Sequence, residues 1–354
     1  MTAPTLAAPL DGARTAAVTP LPSPALLRHE LPVLPDAADA VRRGRAAAVD
    51  VLHGDDDRLL VVVGPCSIHD DEAAREYGAR LAERAAAHAD DLHVVMRTYF
   101  EKPRSTVGWK GLINDPGLDG SFDVARGLRT ARALMLDLAR LGLPLGCEFL
   151  DPITPQYLAD LVAWGSIGAR TAASQVHRQL ASGLSMPVGI KNGTDGDVAV
   201  AVDAIGAAGA PHAFMGVTPE GLAGLITTTG NPDAHLILRG GSSGPNHDAA
   251  SVADAVARLR AAGHEGRVVV DASHGNSGKD HRRQPGVVAD LAGQVARGGP
   301  VAGVMIESFL VEGRQEIGPA MVRGCSVTDS CVGWDTTVGL LDELARAVLA
   351  RRGR

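Results

Sequence analysis

The stretch LHVVMRTYFEKPRSTVGWKGLINDP, residues 92–116, decides how the rest of the chain is read. Its opening run, LHVVM, is short and apolar, and reads as a buried strand. The run ends on Arg97, and the loop after it gathers Lys102, Arg104, Ser105, Thr106 and Lys110 around Gly108 and Gly111. Arg offers paired N–H donors and Lys a point charge, so cations and hydroxyls just past a strand end suit a phosphate or carboxylate. Taken alone, the same loop also reads as a solvated basic segment. The remaining chain separates the two.

Outward from this stretch the pattern repeats. Apolar runs end on a polar residue: RLLVVVGPC at Cys66, HVVMR at Arg97, LPLGCEF around Glu148, GSIGAR at Arg170, PVGIK at Lys191, HLILR at Arg239, VVVDASH at His274 and VAGVMIE at Glu307. Near-continuous apolar runs suit strands covered on both faces, as in a parallel sheet. Helical stretches separate most of them. Eight such units over about 250 residues predict an α/β fold, a (β/α)8 TIM barrel with active-site groups on the loops after the strands. AFMGVT (213–218) and LITTTG (225–230) flank PEGLAG and predict a hairpin, within about 212–231, inserted before the sixth barrel strand.

Residues 58–354 form the expected barrel, 20–57 an N-terminal extension, and 1–19 a disordered tail. The tail's Ala, Thr and Arg also suit a transit peptide, but no compact apolar stretch marks a secretory signal. Proline-rich residues 20–35 are expected to be extended. Asp36 is expected to cap a helix to about His53, with Ala40, Val41, Ala47, Val51 and Leu52 turned inward. The extension reads as an appendage and an oligomer contact.

Composition narrows the function. At 354 residues and 45% hydrophobic content the chain can bury a large core, and at 3% aromatic content that core must be mostly Ala, Val and Leu. A net charge of −7 argues against a general nucleic-acid binder and makes local basic clusters purposeful. No apolar run approaches membrane-spanning length. Cys66, Cys147, Cys325 and Cys331 lack the spacing of a disulfide framework or zinc ribbon, which predicts a cytoplasmic protein.

Two sets of residues carry the chemistry. Cys66, His274, Glu307 and Asp329 fall at strand ends or loops of one rim, and their mixed softness suits a divalent transition metal (Mn, Fe, Co or Zn). Singly, Cys66 also reads as a small buried hydrophobe and His274 as a core histidine bonded to backbone. Glu307 resists such a reading, because an unpaired buried carboxylate is costly. The second set is Arg97, Lys102, Arg104, Arg170, Lys191 and Arg239. Several cations in the mouth of an acidic barrel imply substrates with multiple negative charges. Ion pairs to Glu148 and Asp151 account for one or two of them at most.

GPCSIHD (64–70), RTYFEKPRSTVGWKGLINDP (97–116), EFLDPITPQY (148–157), WGSIGARTAASQVHRQLASGLSMPVGIKNGTDG (164–196), LRGG (238–241), DASHGNS (271–277), ESFLVEG (307–313) and TDSCVGW (328–334) closely resemble the class I 3-deoxy-D-arabino-heptulosonate 7-phosphate (DAHP) synthases. The resemblance runs from about Pro20 to the C-terminus. It implies condensation of phosphoenolpyruvate with erythrose 4-phosphate, giving DAHP and phosphate, at the head of the shikimate pathway. It also implies that Cys66, His274, Glu307 and Asp329 hold the metal. Arg97, Lys102, Arg170, Lys191 and Arg239 would hold phosphoenolpyruvate beside Glu148, and Lys102, Arg104 and Ser105 the sugar phosphate. Lys102, Glu148 and His274 are the candidates for activating water. Relatives commonly have Thr where Ser105 stands, and often His where Phe309 stands.

Further implications concern regulation. The hairpin, the N-terminal segment and a neighbouring subunit of a homodimer or homotetramer would form an aromatic amino acid pocket that includes Pro155, Ser185, Phe214 and Gly216. Gly at 216 leaves room for a phenol hydroxyl, so tyrosine is expected as effector over phenylalanine. Cys331 follows Asp329 by two residues, hence is expected near Cys66 and able to form an inactivating disulfide with it. Two rivals share much of this pattern: 3-deoxy-octulosonate 8-phosphate synthase, which KPRST speaks against, and a catalytically dead amino-acid sensor, which the intact metal and cation sets speak against.

Overall fold

The computed structural model of the chain describes residues 11–12, 14–104 and 106–353. In chain order, helices α1 (Pro24–Glu30) and α2 (Pro35–His53) lead into β1 (Leu59–Gly64), α3 (Asp71–Ala87), β2 (Leu92–Arg97), α4 (Val124–Arg140) and β3 (Leu145–Glu148). Then come α5 (Thr154–Leu158), β4 (Trp164–Ile167), α6 (Gln175–Ser182), β5 (Val188–Lys191), α7 (Ala199–Gly209), β6 (Ala213–Val217) and β7 (Ala223–Thr227). β8 (His235–Leu238), α8 (Ala249–Ala261), β9 (Val268–Asp271), α9 (His274–Ser277), α10 (Gln284–Ala296), β10 (Val301–Glu307), β11 (Val311–Arg314), β12 (Cys325–Ser326) and α11 (Trp334–Arg351) complete the fold.

All eight expected runs are strands. They pair in parallel and close in the order β1-β10-β9-β8-β5-β4-β3-β2. Every residue of these strands is buried, as helices outside and side chains inside require of a parallel barrel. β6 and β7 pair antiparallel beside the barrel, with Phe214 opposite Ile226 and Gly216 opposite Gly224. β7 starts at Ala223 rather than Leu225, because Thr218–Leu222 alone makes the turn: Thr218 N–H donates to Leu222 O at 2.8 Å.

The N-terminal region differs in three details. Residues 24–30, expected to be extended, are helical, since Pro24 occupies the first helical position and the Ser23 side chain accepts from Leu26 N–H. Pro35 does the same for α2, so Leu34 is the cap residue and Asp36 lies inside the first turn. Ala48, not Ala47, is fully buried. The consequence of α2 is architectural. Its Ala48, Val51 and Leu52 join Leu60, Val62, Val95, Trp164, Ile237, Val269, Ala302 and Met305 in one cluster, so the helix stops the N-terminal end of the barrel. A Cβ on Gly44 would meet Pro144 Cβ at 2.7 Å, so glycine allows this close approach. Of the expected tail, residues 1–10 and 13 lie outside the described residues, and 14–19 are exposed without helix or strand.

Candidate active site

Because the strands run parallel, their C-terminal ends share one rim. Arg97, Glu148, Lys191, Asp271 and Glu307 are the last residues of β2, β3, β5, β9 and β10. Cys66 lies two residues past β1 and Arg239 one past β8, while Arg170 and His274 follow β4 and β9 by three. Asp329 arrives by a different route. Val332 pairs beside the end of β10, with Val332 N–H donating to Glu307 O and Phe309 N–H to Val332 O, both at 2.9 Å, while Cys331 pairs with Gly313 of β11. Ser67 Oγ and Thr328 Oγ1, 2.7 Å apart, fix the same segment to the loop after β1. The KPR loop is anchored by Gly111, at φ 125°, where a Cβ would meet Phe100 O at 1.9 Å.

These residues converge on a cavity of about 250 Å³ lined by Arg97, Tyr99, Glu101, Lys102, Arg104, Glu148, Arg170, Lys191, Arg239, His274, Lys279, Glu307 and Asp329, among others. Cys66 is not part of the lining; it is 1% exposed and lies behind Lys102, whose Nζ is 2.8 Å from its Sγ. Arg104 and Arg170 are exposed at the mouth, and Ser105 lies outside the described residues.

The donor set fits a single metal ion. One ligand atom from each of Cys66, Glu307 and Asp329 lies within 4.8 Å of the others. Donors around one ion, at bonds of about 2.0–2.3 Å, stand up to about 4.6 Å apart. His274, the fourth expected ligand, falls outside that group of three: its Nε2 lies 3.7 Å from Glu307 Oε1, while its Nδ1 lies 2.9 Å from Asp271 Oδ2. A carboxylate behind a ligating imidazole orients the ring and raises its basicity. Ser273 Oγ donates to Glu307 Oε2 at 2.6 Å, and Gln284 bonds the Glu307 backbone at both N–H and carbonyl.

The cations are held by the same acids. Arg97, 1% exposed, donates to Pro65 O, to Cys66 O and to Glu307 Oε1, the last at 3.3 Å, and its guanidinium lies 3.9 Å from the Tyr99 ring centroid. Lys102 Nζ lies 2.8 Å from Cys66 Sγ and 2.9 Å from Asp329 Oδ2. Lys191 Nζ lies 3.6 Å from Glu148 Oε2 and 3.4 Å from Asp271 Oδ2. Electrostatics follow from this. Burial, helped by Glu307, pushes the Cys66 thiol up to about 11 against the pull of Lys102. Burial works against the charged forms of Lys102 and Lys191, yet Cys66 and Asp329 for the first, and Glu148 and Asp271 for the second, hold both above the ordinary lysine range. Asp271, Glu307 and Asp329 stay below the usual carboxylate range despite burial, because His274 and the neighbouring ammonium and guanidinium groups surround them. Burial lowers Arg239. Glu101 is the exception among the acids: burial and Asp151 raise it to about 7.

Asp271, Tyr99, Glu101, Ser273 and Lys279 were not singled out by sequence. Asp271 had a usable signal, an acidic residue closing the VVVD strand. The others sit in loops without periodicity. Phe309 is fully buried against His69 and Tyr77, with ring centroids 6.1 Å away in each case. Of the four regulatory candidates, Phe214 and Gly216 share the half-buried face of the hairpin with Ile226, Pro155 is buried at the start of α5, and Ser185 is exposed. The N-terminal extension touches both neighbouring elements: Ala25 N–H donates to Pro219 O at 2.7 Å, and Tyr157 Oη to Pro22 O at 2.8 Å.

A parallel barrel whose catalytic-end rim combines a transition-metal donor set with many cations defines a metal-dependent enzyme class acting on phosphorylated, carboxylated substrates. Residues 32–342 match the DAHP synthetase I family, and the chain belongs to it. It is 55% identical to a phospho-2-dehydro-3-deoxyheptonate aldolase of Corynebacterium glutamicum, over 98% of this chain and 96% of that one. It is 54% identical to the Phe-sensitive aldolase of Escherichia coli K12, over 97% and 99%. It is 49% identical to a tyrosine-inhibited one of Schizosaccharomyces pombe, over 97% and 94%. The solved phospho-2-dehydro-3-deoxyheptonate aldolase of Francisella tularensis superposes with a TM-score of 0.94 at 50% identity, covering 96% of this chain and 99% of that one. No helix among the described residues is long and apolar enough to cross a membrane.

Proposed function

We propose that this barrel condenses phosphoenolpyruvate with D-erythrose 4-phosphate to DAHP and phosphate, as a 3-deoxy-7-phosphoheptulonate synthase of aromatic amino acid biosynthesis. The observation that carries the assignment of roles is that Glu307 and Asp329, grouped with Cys66 as donors, line one cavity with Arg97, Lys102, Lys191 and Arg239. Cys66, His274, Glu307 and Asp329 hold a divalent transition metal, which supplies Lewis-acid polarisation of the aldehyde oxygen when bound.

The side chains do the rest. Arg97, Lys191, Arg170 and Arg239 grip the phosphoenolpyruvate carboxylate and phosphate, and Arg104, exposed at the mouth, shares the sugar phosphate with Ser105. Two anions that repel each other are thereby kept at bonding distance, which is catalysis by positioning. Lys102 serves between them. Enol C3 attacks the aldehyde carbon, water adds at C2, and phosphate departs with its bridging oxygen by C–O cleavage. Glu148, Lys102 and His274 face the cavity and carry the proton transfers.

Four free, buried cysteines suit a reducing cytoplasm. Exposed Met215, Leu222 and Leu225 on and beside the hairpin, with residues 20–57, supply the contact of a homodimer or homotetramer. Tyrosine is the effector, with Phe214 and Gly216 lining its pocket. One experiment tests the set: phosphate release from the two substrates, with and without chelator and with each aromatic amino acid. Release that needs both substrates, stops with chelator and is curbed by tyrosine is expected; chelator-insensitive release overturns the metal role.

A further inference from the structure

Lys279 occupies a backbone conformation that favours glycine. Among the described residues four non-glycine residues hold a positive φ, and two of them, His274 at 51° and Lys279 at 64°, open and close one short turn. Gly278, just before, takes the same conformation without penalty, whereas a residue with a Cβ is disfavoured there. A lysine kept at such a position points to work done by its side chain.

That side chain reaches the metal-ligand cluster. Its Nζ lies 3.3 Å from Asp329 Oδ1. Its backbone N–H donates to His274 O at 2.7 Å, and its carbonyl accepts from Ser330 Oγ at 3.1 Å. One residue therefore ties the turn bearing His274 to the segment bearing Asp329. The two Asp329 oxygens have separate duties: Oδ1 faces Lys279 at the rim, and Oδ2 faces Lys102 Nζ, which itself touches Cys66 Sγ.

We propose that Lys279 is a positioning residue of the metal site, fixing the rotation of the Asp329 carboxylate so that one oxygen faces Cys66 and Glu307. The proposal rests on the metal-site reading above. The Lys279 side chain is 52% exposed, so solvent screens both its repulsion of an incoming cation and its pull on Asp329, and the orientation rests on the 3.3 Å contact together with the backbone ties to His274 and Ser330. Glycine would relax the turn but release the carboxylate. Partners that orient metal ligands govern affinity by about ten- to a hundredfold.

The test measures Mn²⁺ affinity of the full chain by competition with a chromophoric chelator, alongside thermal unfolding, for Lys279→Met, Lys279→Gly and Lys279→Arg. Met and Gly variants are expected to hold Mn²⁺ about tenfold more weakly, with the Gly variant unfolding at or above the wild-type temperature and the Arg variant binding like wild type. Unchanged or tighter Mn²⁺ binding in the Met and Gly variants overturns the proposal, as does a Gly variant that unfolds earlier. Cys66→Ala separates the two readings. If it loses Mn²⁺ while the Lys279 variants keep it, only the Lys279 role falls; if it also keeps Mn²⁺, the metal site falls too.

Discussion

Lys102 Nζ lies 2.8 Å from Cys66 Sγ, which places the ammonium of the KPR loop directly on a buried thiol. The contact joins the two chemistries of the site. The same lysine touches Asp329 Oδ2, so the segment proposed to bind anions and the residues proposed to hold metal are not independent parts.

Removal of a ligand is the most direct consequence. Cys66→Ala and His274→Ala are expected to abolish turnover and to weaken metal binding about a hundredfold or more, since even indirect partners of ligands command ten- to hundredfold. Metal content after dialysis and phosphate release measure this. Wild-type turnover in either variant would refute the ligand assignment.

Cys331 is expected to capture the same thiol under strong oxidants, although burial raises both thiols and slows the reaction. Cys66 N–H donates to Cys331 Sγ at 3.4 Å, and both residues are buried free cysteines. Peroxide, reduced to water as the two thiols lose two electrons and two protons, is expected to join them and inactivate the enzyme, with dithiothreitol restoring activity. Cys331→Ser should outlast the wild type under peroxide. Equal sensitivity sinks the disulfide.

Acid stability depends on the far end of the barrel. Burial, with Arg58 nearby, lowers His93 to about 4, and burial lowers His235 to about 4 despite its bond to Asp233. His93 Nε2 lies 3.1 Å from Gly44 O of α2, and His235 Nε2 accepts from Trp164 Nε1 at 3.1 Å. Both rings are neutral in the fold, while the unfolded chain protonates them below about 6.5. Their contribution is therefore complete above that pH and lost as pH falls towards 4, amounting to about 2 kcal/mol each by pH 5. Urea unfolding at pH 7.5 and pH 5 should show the fall, and His93→Gln should reduce it. An equally steep profile in that variant would clear His93 of the effect.

Gly216 addresses effector choice. A Cβ there would meet Ile226 Cγ1 at 2.6 Å, so a side chain must displace Ile226 on the face shared with Phe214. Gly216→Ser is expected to weaken inhibition by tyrosine and strengthen that by phenylalanine, read as a shift of several-fold in each inhibitory concentration, on the scale of one modest contact of about 1 kcal/mol. Unchanged responses would show that space at this position does not select the effector.

The chain's local pattern determined the barrel, because eight apolar runs, each ending on a polar residue, need only their neighbours to become strands and point their last side chains to one rim. It also determined which residue types gather there. The hairpin was legible for the same reason, to within two residues at the start of β7 and three at its end. The tertiary structure alone decided the partnerships: Lys191 between Glu148 and Asp271, Arg97 on Glu307, Lys102 between Cys66 and Asp329, and α2 seated in the barrel's base. These depend on distances across as many as 265 residues of chain, as between Cys66 and Cys331. Periodicity is a property of a few adjacent residues and carries no information about such distances; barrel closure supplies it.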